Sequence, residues 1–128
     1  MEFARLDWER KERCGFPVFV YGAGKTTEQL LRIVPELYAK EKVVLVTRLE
    51  SDKGEALARN FPDGRFDALS GSFLWRDPAH RLAGDVVVVC AGTSDLAVAQ
   101  EALLTLEACG RGGELLADVG VAGLHRLL

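Results

Sequence analysis

Six apolar residues in succession, Val86 to Ala91, run directly into Gly-Thr-Ser-Asp at positions 92–95, and this junction limits the available folds more than any other stretch. A short apolar run bounded by turn residues reads as a buried-type strand, here Asp85 to Cys90, and the residues after the turn carry a helical period for about four turns. A second strand follows, then a second glycine loop ending in His125-Arg126. A strand, helix and strand in that order form a parallel pair, and both loops then leave the same end of the sheet. In open α/β sheets small ligands bind at that end. The polar residues placed there are Thr93, Ser94, Asp95, Asp118, His125 and Arg126.

The chain has 128 residues, enough for one domain with a sizeable core. Its apolar runs are far shorter than a bilayer span, so no membrane helix is expected. The start, MEFARLDWERKER, lacks the apolar centre of a signal peptide, and a cytoplasmic protein is expected. Three cysteines, Cys14, Cys90 and Cys109, without a C-x-x-C pair, argue against a disulfide framework or a zinc site. A net charge of −3 without a stripe of Lys and Arg makes nucleic acid an unexpected partner.

Upstream, Phe3 to Arg13 reads as a helix ended by Gly15, and Val18 to Tyr21 as a strand. Gly22 to Thr27 turns into a helix reaching Lys40, in which Pro35 predicts a kink or a restart. Val43 to Thr47 is a strand apolar on both faces. Ser51 is placed to cap a helix running to Asn60, and Phe61-Pro-Asp-Gly marks a turn. A strand is expected within Arg65 to Trp75, and Asp77-Pro78 opens a connection. The order predicts an α/β fold with a mostly parallel sheet and helices on both faces.

Gly22-Ala-Gly-Lys25-Thr26 fails as a Walker A loop, because the required first glycine falls on Phe19. As a dinucleotide fingerprint it lacks the third glycine, with Thr27 in its place. A tight strand-to-helix turn is the better reading, with Lys25 a candidate holder of an anion beside helix amides. In Gly92 to Asp95, Thr93 or Ser94 suits a helix cap, and the same amides and hydroxyls can bind phosphate or carboxylate. Residue types alone favour the cap. Asp95 would repel a phosphate placed against it, so a ribose hydroxyl or a cation is its better partner. Asp118 and His125 stand seven residues apart across a loop whose glycines let backbone approach a ligand, and the imidazole can move a proton near neutral pH. His80 reads as exposed.

The segments AGTSD at 91–95 and DVGVAGLHRLL at 118–128, with LDWERKERCGFP at 6–17 and GAGKTTEQL at 22–30, resemble the LarB family. These are synthases of pyridinium-3,5-biscarboxylate mononucleotide for the nickel-pincer cofactor, related to phosphoribosylaminoimidazole carboxylase. The resemblance implies an N-terminal α/β region at 1–83 and, at 84–128, the first βαβ unit of a truncated carboxylase-like domain. It implies carboxylation of the pyridinium ring of nicotinic acid adenine dinucleotide with CO2, and cleavage of its phosphoanhydride to release AMP. Mg2+ and a homo-oligomer are expected with it.

Carried over residue by residue, Gly92, Thr93, Ser94 and Asp95 would hold the ribose-phosphate, with Lys25 on the second phosphate. Asp118 and His125 would act at the reacting end, beside Gly123 and Arg126. Val18, Ala23, Ala97 and Gln100 depart from the pattern, and none of the three cysteines matches the family's nucleophile, which belongs to a later part. The expectation is therefore an N-terminal piece of a roughly twice-longer enzyme, inactive alone, which binds substrate weakly or associates through an unfinished sheet edge. Two alternatives remain: a purine-pathway carboxylase, and a non-catalytic nucleotide-binding or oligomerisation module.

Overall fold

Val43–Thr47 (β2) is the strand on which the packing centres, because its apolar residues face both ways and both faces are covered. In the computed structural model, which describes residues 19–117, Val44, Leu45 and Val46 are all at most 1% exposed. Strand alternation sends Val44 and Val46 to one side and Leu45 to the other. The first side is packed by Thr27–Glu41 (α1) and Ser51–Asn60 (α2), through Leu30, Ile33, Val34, Leu37 and Leu57. On the second, Leu45 and Leu74 meet Leu104 and Ala108 of Leu96–Ala108 (α3). Helices thus cover both faces of this sheet, as expected.

The sheet is mixed, not mostly parallel as the sequence suggested. Phe19–Tyr21 (β1) pairs parallel to β2, but Ser72–Arg76 (β4) pairs antiparallel to it, and Arg65–Asp67 (β3) antiparallel to β4. The cause lies in the stretch that sequence patterning resolved least. It holds two strands, joined by a turn in which Asp67 accepts from the amide and hydroxyl of Ser70, at 3.0 and 2.5 Å. Gly71 completes the turn at φ +65°. A loop this short cannot make a parallel crossover, which takes about a dozen residues.

Ala83–Val89 (β5) and Arg111–Leu116 (β6) form a separate two-stranded parallel sheet bridged by α3. Gly113 of β6 lets the helix approach closely; a Cβ there would lie 2.9 Å from the Leu103 side chain. α3 is therefore shared, with Leu104 and Ala108 on the mixed sheet and Leu103 and Leu106 against β6. β5 is less covered than its apolar run suggested, with Val86, Val87 and Val89 at 39%, 49% and 50% exposed. β6 is its sole strand neighbour among the described residues.

Three helix positions bear on local detail, and at one of them, Ser51, the structure differs from expectation. α1 passes through Pro35 as one helix without a restart. Proline removes one intrahelical bond there, and the apolar face on either side of it, Ile33, Val34 and Leu37, is fully packed. Ser51 is the first residue of α2 and not its cap; Glu50 holds the cap position, with no side-chain bond. Gly54 of α2 is buried against Phe66, whose ring atoms lie 2.1–2.4 Å from where a Cβ would stand. None of the described helices is long and apolar enough to cross a membrane. The expected helix at Phe3 to Arg13 and residue Val18 of the first strand lie outside the described residues.

Candidate functional site

Parallel pairing of β5 with β6 decides where the candidate loops emerge. The register runs from Ala83 opposite Arg111 to Val89 opposite Leu116, and the Cys90 amide then donates to the Leu116 carbonyl at 2.9 Å. Both strands end at one rim. From it Ala91 and Gly92 lead into a 3₁₀ turn, Thr93–Asp95, closed by the Asp95 amide on the Gly92 carbonyl at 3.2 Å.

The capping role expected of Thr93 or Ser94 is not filled. Asp95 occupies the cap position of α3 and makes no side-chain cap bond. Thr93, Ser94 and Asp95 are exposed, and none of their side chains has a hydrogen-bond partner among the described residues. Their hydroxyls and carboxylate are thus left to solvent; the Asp95 and Leu96 amides are spent on the Gly92 and Thr93 carbonyls, so the turn offers a ligand the amides of Thr93 and Ser94. Below the turn, a cavity of about 330 Å³ opens between β5 and α3, lined by Val88, Cys90, Ala91, Asp95, Val98 and Ala99 among others. It is apolar apart from Asp95 and the Cys90 thiol. A flat, poorly hydrated group fits such a wall better than a charged one.

Two ion pairs mark the direction of α3. Glu101 meets Arg48, one residue past the end of β2, at 3.3 Å. Glu107 meets Arg65, the residue opposite Leu74, at 2.6 Å. Since Leu74 lies opposite Leu45, α3 runs antiparallel to β2, and its first turn projects past the carboxyl end of that strand. The Gly22–Thr26 turn, which follows β1, lies at the same end. Arg48, to which the sequence assigns no role in the site, takes a left-handed backbone, φ 57°, at the exit from β2.

The Gly22–Thr26 turn itself is built as a structural turn. Gly22 donates to the Thr47 carbonyl at 2.7 Å, and a Cβ on it would stand 2.7 Å from that same oxygen. Thr26 and Gln29 form a reciprocal capping box, at 3.1 and 2.9 Å, that occupies their side chains. Lys25 is half-buried, and its ammonium has no partner among the described residues; no bond joins it to the Gly92–Asp95 turn. Asp118, Gly123, His125 and Arg126 lie outside the described residues. His80 is exposed, as expected, and Cys90 and Cys109 are free thiols.

Residues 1–77 match the family described as the LarB/PurE-like N-terminal domain. An uncharacterized protein of Methanocaldococcus jannaschii is 32% identical over 133 aligned positions, which cover 98% of this chain and 52% of that protein. The chain therefore spans about half the length of the curated relative it matches. The family match takes in β1 to β4, while the Gly92–Asp95 turn lies beyond it.

Proposed function

The chain belongs to the LarB family, by its LarB/PurE-like N-terminal domain, and from that premise we propose that it is the N-terminal part of a carboxylating synthase. A PurE-like carboxylase is the coarser statement that the family supports. The finer one is carboxylation of nicotinic acid adenine dinucleotide. In it a carbon–carbon bond forms between CO2 and the pyridinium ring, a ring proton leaves, and water cleaves the phosphoanhydride to give pyridinium-3,5-biscarboxylate mononucleotide and AMP.

The observation that carries this reading is the shared rim of β5 and β6. One exit offers unpartnered hydroxyls and the first amides of the 3₁₀ turn for a ribose-phosphate, within Gly92, Thr93, Ser94 and Asp95. The other, after Leu116, leads toward Asp118, His125 and Arg126, the residues assigned to the reacting end. Lys25, at the same end of the molecule, is assigned to the second phosphate.

Among the described residues, no group of three or more His, Cys, Asp or Glu is placed to hold a metal ion. Mg2+ is commonly held by one or two carboxylates together with substrate phosphates. Asp95 fits that role, and the ion would neutralise charge on the diphosphate. The protein's own contribution is to orient the ribose with Asp95 and Ser94, and to handle the ring proton at His125.

Calorimetry on the full-length protein, with nicotinic acid adenine dinucleotide against AMP, tests the proposal. Tighter binding of the dinucleotide is expected; equal affinity for the two removes recognition of the pyridinium end.

A further inference from the structure

A second concavity lies at the opposite end of the mixed sheet from these turns. β3 stops at Arg65, opposite Leu74, so β4 runs on through Trp75 and Arg76 with no strand on its outer edge. These two residues pair with Val44 and Val43, at the start of β2. A cavity of about 370 Å³ fills the gap, bounded by Tyr38, Asp63, Arg65, Trp75 and Arg76. That volume is within the range of roughly 300–1,000 Å³ usual for small-ligand sites.

Its lining keeps unused bonding capacity of three kinds. Trp75 stacks on Tyr38, ring centroids 3.8 Å apart and planes within 6°, and on Phe61 at 5.3 Å, while the Lys42 ammonium stands 5.5 Å from the Tyr38 centroid; the indole is held in one orientation and the pair offers a ligand its edge. Neither the indole N–H of Trp75, the Tyr38 hydroxyl nor the Asp63 carboxylate has a hydrogen-bond partner among the described residues. Arg65 spends one nitrogen on Glu107, and Arg76 spends one on the His80 carbonyl, so each guanidinium retains further donors. Paired guanidinium forks match a phosphate, a lone carboxylate accepts from vicinal hydroxyls, and aromatic side chains take the edge or face of a flat base.

We propose that this cavity is a binding site for a nucleoside monophosphate, separate from the Gly92–Asp95 turn. The phosphate sits between Arg65 and Arg76, the ribose hydroxyls donate to Asp63, and the base lies against the edge of the Tyr38–Trp75 pair. Arg65 also pairs with Glu107 near the end of α3, so an occupying phosphate competes with that carboxylate for the guanidinium.

The test follows the Trp75 indole N–H resonance of the 128-residue chain, told apart from that of Trp8 by Trp8→Phe, while AMP, adenosine or inorganic phosphate is added. AMP should shift it saturably with a Kd below about 1 mM, with adenosine and phosphate each weaker by about tenfold or more. Asp63→Asn and Arg76→Gln should each weaken AMP by about tenfold, with the spectrum otherwise that of the folded chain. A resonance unmoved by AMP at about 10 mM overturns the proposal, as does an equal response to phosphate alone or undiminished binding in both variants. A response to AMP confined to the amides of Gly92 to Asp95 also overturns it, and leaves the carboxylase reading standing.

Discussion

Val89 of β5 lies opposite Leu116 of β6 in a parallel register, and the Cys90 amide closes the ladder on the Leu116 carbonyl at 2.9 Å. Both exits from this small sheet are therefore set by backbone pairing, upstream of any side chain in the loops. Substitutions in the Gly92–Asp95 turn should alter binding without altering the scaffold.

Asp95→Asn separates binding from capping most directly. A helix cap lost to substitution costs about 1 kcal/mol, yet the Asp95 carboxylate makes no cap bond here. The unfolding free energy in urea should stay within about 0.5 kcal/mol of the parent. Affinity for nicotinic acid adenine dinucleotide should fall by about tenfold on the full-length protein. Ser94→Ala should behave likewise; a variant that melts earlier and binds normally makes the turn structural.

The attachment of α3 rests on packing more than on charge. Leu104, 3% exposed between Leu45, Leu74 and Ala108, should cost about 2–5 kcal/mol when cut to alanine. The Arg48–Glu101 pair, with its arginine largely in solvent, should give a double-mutant coupling below about 1 kcal/mol that shrinks in salt. Denaturant unfolding reads both values, and the reverse ranking would make the interface electrostatic.

The parts of the fold legible in the sequence were those with a local cause. The β5–α3–β6 unit followed from one apolar run and one helical period, and β2 from residues apolar on both faces. The hairpin of β3 and β4 was not legible, because its alternation is broken by Ser72 at a core position and by the aromatic Trp75, whose partners Tyr38 and Phe61 are distant in sequence. Mixed pairing followed from that gap. At the site, the Gly92–Asp95 turn and the common rim of β5 and β6 were readable, while the uncapped state of Thr93 and Ser94 was not, since a hydroxyl before a helix suits a cap and a ligand equally. Gly54 carried no visible meaning until Phe66 was placed over it by tertiary packing.

Gly22→Ala and Gly24→Ala should differ sharply, because the first meets atoms and the second does not. A Cβ at Gly22 would stand 2.7 Å from the Thr47 carbonyl oxygen and 2.8 Å from Leu49. Gly24 has open space around it and only the cost of φ +82°, of the order of 1–2 kcal/mol. Thermal melts should therefore show the larger loss at Gly22. Lys25→Ala should leave the melt unchanged and lower dinucleotide affinity; if affinity holds, the turn has no part in binding.

Cys109 at the end of α3 should react slowly as a thiol. Burial pushes its pKa above the ordinary thiol value, and the nearby Arg111 charge opposes part of that rise. The folded chain thus holds this proton more tightly than the unfolded one. Its stabilising contribution is full below the unfolded thiol's pKa and is lost as pH rises through the folded one. In a Cys14→Ser, Cys90→Ala background, iodoacetamide modification should have its pH midpoint higher in the folded than in the urea-unfolded chain. Arg111→Ala should raise that midpoint further; a fall would reverse the assigned causes.

His125 is the residue on which the proposed chemistry turns, since carboxylating a ring carbon requires a group to take the displaced proton near neutral pH. An imidazole can do so, and an asparagine amide of similar size cannot. On the full-length protein, His125→Asn should abolish CO2 incorporation and keep dinucleotide affinity within about tenfold of the parent. If affinity collapses together with turnover, the imidazole is a binding group and Asp118 becomes the candidate base. Turnover at the parental rate removes His125 from the mechanism, and with it the assignment of the loop after β6 to the reacting end.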